Sequence, residues 1–209
     1  MLVCRLNTYQ AMKVLVCNLI YGNRTNDILL ANKNNAQYGA VYLDINTEGI
    51  SNALNEGIDF MLENNWDAIA FLANDIIEPN GWLLKKVEAL RTYPNAGIVA
   101  SSLDYEHDKI HNDFIISNWL ISKDVINAVG LFNESMFPYG PIDLDYCERT
   151  WLAGFSTYYV KNCLAEHVGE FQVNEYGYSK VDMVNKFMPM YKENKIAYKD
   201  GSKPIKIVK

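Results

Sequence analysis

The sequence has 209 residues, of which 49% are hydrophobic and 21% are charged, and its formal net charge is −6. A chain of this length and composition can bury a sizeable core, which predicts one globular domain. The acidic balance excludes a general nucleic-acid binder, because such a protein needs a cationic surface, and a negatively charged substrate would need a local binding device.

No stretch of the sequence reaches the roughly 20 consecutive apolar residues of a membrane-spanning helix, and the first residues lack the pattern of a signal peptide. We therefore expect a cytoplasmic protein. The four cysteines include no Cys-x-x-Cys pair, which favours buried reduced thiols over a zinc site or a disulfide framework. These cysteines are Cys4, Cys17, Cys147 and Cys163.

Strand-like and helix-like segments alternate through the first hundred residues. Strands are predicted at residues 13–20, 40–44, 66–72 and 98–100, and helices at residues 50–62 and after Pro79 and Asn80. The apolar residues of the first helix recur at spacings of three and four, which places them on one face. This alternation predicts an α/β domain with a mainly parallel sheet flanked by helices, whose ligands bind beyond the carboxyl ends of the strands.

The alternation breaks after Ser101. Residues 114–121 are predicted to form a strand, Ser122 is a favourable N-cap, and residues 123–129 should form a short helix that Gly130 ends. We expect a mixed arrangement of strands in this half of the domain.

A series of motifs from residue 130 onward carries a family resemblance. Gly130 opens the segment Gly-Leu-Phe-Asn-Glu, residues 142–149 read Ile-Asp-Leu-Asp-Tyr-Cys-Glu-Arg, and His167 follows a further strand-like run. In order and spacing these motifs resemble the acceptor half of a family-two glycosyltransferase with the GT-A fold. The resemblance spans roughly residues 12–191 and implies an inverting enzyme that transfers a sugar from a nucleotide-diphosphate donor to a hydroxyl acceptor, with Mn²⁺ or Mg²⁺.

The resemblance also implies a division of the chain. Residues 1–100 would hold the UDP-, GDP- or dTDP-linked donor, and residues 101–191 would hold a glycan, lipid-linked or protein-linked glycan acceptor. Residues 192–209 would form a lysine-rich tail or linker. A solvated tail, a contact with a membrane surface and a link to a further domain all stay open for this segment.

Asp75 and His167 match the metal ligands of the resembling family. Asp75 follows a predicted strand at the last position of the family's DXD-type motif, whose first carboxylate is replaced by Ala73. Asn74 is grouped with Asp75 as a donor contact. A carboxylate, an imidazole and the diphosphate together suit Mn²⁺, or Mg²⁺ with more water retained. The alternatives are an ordinary turn at Asp75 and a hydrogen-bonded structural role for His167.

Asp143 is the candidate general base, in the place of the family's Glu-Asp-x-Asp motif. Ile142 replaces the glutamate, but one carboxylate suffices to remove the acceptor's hydroxyl proton while the oxygen attacks. Asp145 and Arg149, four residues apart on one helix face, are predicted either to contact the acceptor or to form an ion pair worth a few tenths of a kcal/mol.

Residues 46–58 look like the family's segment on the nucleotide side of the cleft. Asp44, Asn46 and Asn55 are therefore predicted donor contacts. Asn55 and Gly57 are unfavourable within a helix, and close packing against the sheet or a ligand would explain both.

Trp119 and Tyr139 are predicted to stack on a sugar ring, with core packing as the alternative for each. The glycine- and aromatic-rich residues 169–179 suit a lid that orders over the donor and excludes water. His107 and His111 have no third ligand at a useful spacing, so we interpret them as solvated loop residues.

Two rival functions use the same observations. A sugar-nucleotide nucleotidyltransferase would have the same sheet and the same metal carboxylates. It also requires a glycine-rich, basic phosphate loop after the first strand, and residues 21–24 match such a loop poorly. A carbohydrate-binding or scaffold domain that has lost activity would explain the acidic residues missing from both motifs.

Overall fold

The computed structural model describes residues 11–20, 26–103, 118–168 and 178–209. The strands within these ranges are β1 (Val14–Leu19), β2 (Ala40–Ile45), β3 (Ala68–Ala73), β4 (Ile76–Ile77), β5 (Ala96–Ser102), β6 (Trp119–Ser122), β7 (Ser156–Leu164) and β8 (Glu166–His167). The helices are α1 (Asn26–Asn35), α2 (Ile50–Glu63), α3 (Trp82–Thr92), α4 (Lys123–Val129), α5 (Ile142–Leu152) and α6 (Lys180–Lys199).

Six strands form one central sheet in the order β2-β1-β3-β6-β5-β7. β1 is parallel to β2 and β3, and β5 is parallel to β7, whereas β6 runs antiparallel to both of its neighbours. The predicted mainly parallel sheet and the predicted mixed second half are confirmed.

The central strands are buried on both faces of the sheet. Leu15 and Cys17 of β1 pack into a core that contains α2, α4 and α5, whereas Val14 and Val16 pack into a second core with α3. Because successive side chains of a strand point to opposite faces, a strand covered by helices on both sides must be apolar throughout. This requirement explains why the first four residues of β1, Val14–Cys17, are all apolar.

α4 occupies the residues that the sequence predicts. The Ser122 hydroxyl accepts a hydrogen bond from the Val125 N–H at 3.3 Å, and Gly130, with a φ of 71°, ends the helix. The preceding strand begins at Trp119, and residues 114–117 of the predicted strand lie outside the described ranges.

A second, two-stranded sheet is not predicted by the sequence. β4 follows β3 after two residues and pairs antiparallel with β8, so that Ile76 lies opposite His167 and Ile77 opposite Glu166. These strands have only two residues each, which is too short for an alternation to be legible. Their pairing brings two distant parts of the chain together at the carboxyl end of β3.

The predicted boundary at residue 192 falls inside α6, so the expectation of a lysine-rich tail from that point is wrong. The buried residues of α6 recur every three or four positions across the boundary, as one face of a packed helix requires. They are Phe187, Tyr191, Asn194 and Tyr198. Two of the lysines bind a buried carboxylate of α5: Lys195 and Lys199 lie 3.0 and 2.9 Å from Glu148.

The residues after α6 also pack against the domain. Ile207 forms a parallel bridge with Gly130, and the Leu131 N–H donates to the Ile207 carbonyl at 2.9 Å. A Cβ on Gly130 would lie 1.9 Å from that carbonyl oxygen, so only glycine permits this approach. In the described part of the chain, no helix has the length and apolar character needed to cross a membrane.

Candidate active site

The β4–β8 pairing sets Asp75 beside His167. Asp75 lies between β3 and β4, and its carbonyl accepts a hydrogen bond from the Val168 N–H at 2.9 Å. The Asp75 Oδ2 and His167 Nε2 atoms are 3.4 Å apart, and their side chains are 16% and 30% exposed. Two residues 92 positions apart in the sequence thus present an oxygen and a nitrogen ligand side by side.

The spacing of these two atoms suits one divalent ion. With metal–ligand bonds of about 2.1 Å, neighbouring ligands of an octahedral ion lie about 3 Å apart, close to the observed separation. Oxygen and imidazole nitrogen are ligands that Mn²⁺ accepts. The described residues contain no group of three or more His, Cys, Asp or Glu side chains that would hold a metal.

A cleft of about 510 Å³ opens at this pair. Its walls are the carboxyl ends of β1, β2 and β3, the first turns of α2, α5 and α6, and β8, and most of its lining is apolar. The structure brings six of the predicted site residues to this lining. They are Asn74, Asp75, Trp119, Tyr139, Asp143 and His167.

Asp143 lies in the first turn of α5, where it is half-buried. Its Oδ1 atom accepts a hydrogen bond from the Leu144 N–H at 2.9 Å. Burial raises the pKa of the Asp143 carboxyl from 3.8 to about 6, because the charged form loses solvation, and backbone hydrogen bonds oppose this shift only in part. Such a carboxyl is ionised at neutral pH and is a stronger base than an exposed aspartate.

The two predicted aromatic contacts differ in their surroundings. Trp119 is 5% exposed and stacks on Phe132, with ring centroids 5.2 Å apart, so most of its surface belongs to the core and only a margin reaches the cleft. Tyr139 is half-buried, with the Tyr178 ring centroid 6.5 Å and the Lys180 ammonium 5.5 Å from its own ring centroid.

Lys180 is a lining residue that sequence reasoning missed. It stands in the first turn of α6, after the N-cap Ser179, whose hydroxyl accepts a hydrogen bond from the Asp182 N–H. Among the described lining residues it carries the one permanent positive charge. The sequence signal was available: a serine followed three residues later by an aspartate marks the start of a helix.

Asn55 does not reach the cleft, and its predicted contact with the donor is wrong. It is 2% exposed, and its side chain both accepts from the Phe132 N–H at 2.8 Å and donates to Glu134 Oε1 at 2.8 Å. Its unusual place within a helix is explained by these bonds. A Cβ on Gly57 would lie 2.8 Å from the Phe71 ring, so packing against the sheet explains that glycine too.

Asp44 and Asn46 are exposed and lie outside the cleft lining. Asp44 Oδ1 accepts a hydrogen bond from Asn18 Nδ2 at 2.7 Å, which ties the carboxyl end of β2 to that of β1. Contacts of these two residues with the donor stay predictions.

Asp145 and Arg149 form the predicted i,i+4 ion pair of the helix, but both are fully buried, and neither lines the cleft where an acceptor would bind. The Arg149 guanidinium donates to Asp145 Oδ2 at 2.9 Å and to the carbonyls of Val129, Leu131 and Ile205 at 2.7, 3.0 and 3.3 Å. This ion pair therefore fastens α5 to the loop after α4 and to the C-terminal segment.

We expect Arg149→Met to lower the free energy of unfolding by about 3–5 kcal/mol, because it leaves the Asp145 carboxylate buried without its cation. Denaturant titration measures this loss. The double variant Asp145→Asn/Arg149→Met should recover part of it, since no charge is then left unpaired. An unchanged midpoint for Arg149→Met would contradict the fastening role.

Several predictions fall on residues outside the described ranges. They concern His107, His111, the poor phosphate loop at residues 21–24, and residues 169–177 of the predicted lid.

Two solved structures share this arrangement of strands and helices. Mannosyltransferase PcManGT from Pyrobaculum calidifontis, in complex with GDP-Man and Mn²⁺, has a TM-score of 0.60 and 13% identity over 91% of this chain and 70% of its own. A197 from STIV has a TM-score of 0.54 and 16% identity over 76% of this chain and 87% of its own. No protein-family model matches the sequence, and neither does any curated protein. The chain has a GT-A-like fold, as the sequence predicts, and identities this low establish the fold alone.

Proposed function

We propose that this chain is an inverting glycosyltransferase that moves a sugar from a nucleotide-diphosphate donor to a hydroxyl acceptor. The observation that supports this proposal most is the shared cleft: Asp75, His167 and Asp143 line one cavity at the carboxyl ends of parallel strands. Ligands of α/β sheets bind at this edge. The cavity thus offers two metal ligands and a base to one substrate.

The donor's diphosphate would lie at Asp75 and His167. These residues would hold Mn²⁺ or Mg²⁺, which when bound offsets the negative charge that develops on the departing diphosphate. Asn74 and Lys180 line the same cleft, and the Lys180 ammonium would add a positive charge beside an anionic donor. UDP, GDP and dTDP donors all stay candidates, and GDP is the first to test because PcManGT is in complex with GDP-Man.

Asp143 would act on the acceptor. Its carboxylate takes the hydroxyl proton while the acceptor oxygen forms a bond to the anomeric carbon. The bond from that carbon to the diphosphate oxygen breaks, and its electron pair leaves with the diphosphate. Because the attack comes from the opposite face, the configuration inverts. Tyr139 and the exposed margin of Trp119 would contact the sugar ring. The acceptor stays a proposal: a glycan, a lipid-linked glycan or a protein-linked glycan.

We expect kcat/KM for transfer to rise with pH up to about 6 and then level off. Only the ionised Asp143 accepts a proton, and its pKa of about 6 leaves half of the enzyme in the acid form at that pH. Below this pH the rate should fall about tenfold per pH unit. Transfer rates across the range, with donor binding measured in parallel, test this. A flat profile with constant donor binding would contradict the assignment.

The direct test of function is a donor panel. GDP-, UDP- and dTDP-linked sugars are incubated with the protein and Mn²⁺, with and without sugar acceptors, and release of the nucleoside diphosphate is followed. We expect the nucleoside diphosphate to be released from one of the donors, and faster when an acceptor is present. EDTA should abolish release with and without the acceptor. No release from any donor would count against the enzyme.

A carbohydrate-binding or scaffold domain is the second candidate. It is favoured by Ala73, which stands where the resembling family has the first carboxylate of its DXD-type motif, and by the lack of a third metal-binding side chain among the described residues. Such a domain would bind a nucleotide or a glycan without releasing the diphosphate. The nucleotidyltransferase alternative shares the sheet and the candidate metal ligands, and the phosphate loop that would distinguish it, at residues 21–24, lies outside the described ranges.

A further inference from the structure

A buried ion pair lies behind the turn that carries Asp75. Glu78 and Lys86 are both 0% exposed, and the Lys86 ammonium donates to Glu78 Oε1 at 2.7 Å. Removing two charges from water is costly, and an apolar pair of similar volume is often equally or more stable. The pair is therefore poorly explained by stability alone. Glu78 lies three residues after Asp75, which suggests that the pair has a role at the turn.

The Glu78 carboxylate has partners from three separate elements. Oε1 accepts from Lys86 of α3 and from Asn118 Nδ2 at 2.9 Å, and Oε2 accepts from the Ser101 hydroxyl of β5 at 2.5 Å. The Lys86 ammonium also donates to the Asn118 carbonyl at 2.8 Å and lies 4.8 Å from the centroid of the Trp82 ring. Both charges are thus fully engaged in one fixed geometry.

Asn118 links this network to the cleft. It lies on the cleft lining and has a φ of 49°, in the left-handed region that asparagine tolerates better than most residues. In this conformation its carbonyl faces Lys86 while its side-chain Oδ1 accepts from the Ala73 N–H at 3.1 Å. The segment from Ala73 to Glu78 is therefore held at both ends by one buried network.

Asn32 of α1 holds the same segment from another element. Its Nδ2 donates to the Ile76 carbonyl at 2.9 Å, and its Oδ1 accepts from the Glu78 N–H at 2.7 Å. The backbone on both sides of Ile77 is thereby fixed. Since Ile76 pairs with His167 and the Asp75 carbonyl binds Val168, the position of the turn sets the position of both candidate ligands.

We infer that Glu78, Lys86 and Asn118 are positioning residues that hold the Asp75 turn against the strand of His167. The inference rests on the proposed function for its consequence, metal-dependent donor binding. Partners behind a metal ligand orient it, and their loss typically weakens metal affinity or activity about 10- to 100-fold. Neither charge of the pair lines the cleft, so an effect on binding would have to act through the lining residues that the pair positions, Asp75, His167 or Asn118.

The test uses the double variant Glu78→Gln/Lys86→Met, which removes both charges, leaves none unpaired and keeps the side-chain volumes similar. Glu148→Gln is the matched control: it neutralises another buried carboxylate, whose partners Lys195 and Lys199 lie outside the cleft lining. The first measurement is amide hydrogen exchange at Val168, relative to the amides of β1. The amides of β1 report opening of the whole domain, so the comparison separates local opening at Val168 from a general loss of stability.

We expect Val168 to exchange faster in the double variant and at the parent rate in Glu148→Gln. The second measurement is the Kd for GDP, UDP and dTDP with Mn²⁺, which should rise about 10- to 100-fold in the double variant only. If the double variant does not fold, Asn118→Gly replaces it, because glycine keeps the left-handed backbone and deletes only the side-chain bonds.

An unchanged Val168 ratio would overturn the inference, whatever the nucleotide result. Parent-like nucleotide binding by a variant whose Val168 amide does open would overturn it as well, because the turn would then not position the site. If the parent protein binds none of the three nucleotides, the proposed function is contradicted instead. The exchange ratio at Val168 then still shows whether the network positions the turn.

Discussion

Asp143→Asn should reduce sugar transfer by about 10²–10⁴-fold while donor and metal binding stay near the parent values. The amide keeps the shape of the side chain but cannot take the acceptor's proton. Transfer rates at saturating donor and acceptor, together with nucleotide binding by calorimetry, measure the two effects separately. The product of the parent enzyme should have the anomeric configuration opposite to that of the donor, because a single displacement has no covalent intermediate to restore it.

The loss in Asp143→Asn should not come from unfolding. The folded-state pKa of Asp143 lies above its ordinary value of 3.8, so ionising this group opposes folding as the pH rises from about 4 to 6. A neutral asparagine removes that penalty, and the variant should melt no lower than the parent at neutral pH. Asp145→Asn is the matched control, which should lower stability because it breaks the buried pair with Arg149. Near-normal turnover in Asp143→Asn, or retained configuration, would remove Asp143 from the role of base.

Asp75→Ala should weaken nucleotide binding in Mn²⁺ by about 100-fold and change binding in EDTA very little. Removing a residue that hydrogen-bonds to a metal ligand typically weakens metal affinity or activity about 10- to 100-fold. The loss of a direct ligand should therefore weaken binding by the upper end of that range. The acidic protein offers the diphosphate little else, since among the described lining residues only Lys180 carries a permanent positive charge. Calorimetric titration with the nucleoside diphosphate in Mn²⁺ and in EDTA measures both quantities.

Asp124→Ala is the matched control for this variant, because it removes an exposed carboxylate that does not line the cleft. It should bind the nucleotide like the parent under both conditions. If Asp75→Ala binds the nucleotide as tightly as the parent in Mn²⁺, the metal site is not at Asp75. An equal loss in EDTA would instead show that Asp75 contacts the nucleotide directly.

The sequence predicts the sheet well because its inner strands have a simple physical requirement. Strands covered on both faces must be apolar throughout, and β1 and β3 show this directly. The polar elements were harder to predict. α1 has the sequence Asn-Asp-Ile-Leu-Leu-Ala-Asn-Lys-Asn-Asn, without a clear apolar face, and it is held by the contacts of Asn32. α6 contains Pro189 and many lysines, so its apolar face is difficult to recognise in the sequence.

The residues of the candidate site also differ in how well the sequence predicts them. Residues at the ends of strands, such as Asp75, and at the start of a helix, such as Asp143, were predicted from local motifs and lie on one cleft. Asn55 and Arg149 also matched motifs, but their partners are main-chain groups 77 and 18 to 56 residues away, which no local pattern reveals. The Glu78–Lys86 pair was missed for the same reason, since Asn118 and Ser101 complete it from distant elements.

A crystal of this chain soaked with Mn²⁺ and GDP, and in parallel with UDP or dTDP, tests the central claim most directly. We predict an anomalous manganese peak between Asp75 Oδ2 and His167 Nε2, with the diphosphate beside it and the sugar side of the nucleotide directed toward Asp143. A nucleotide bound away from this cleft, or a metal peak that does not involve both Asp75 and His167, would contradict the proposed site.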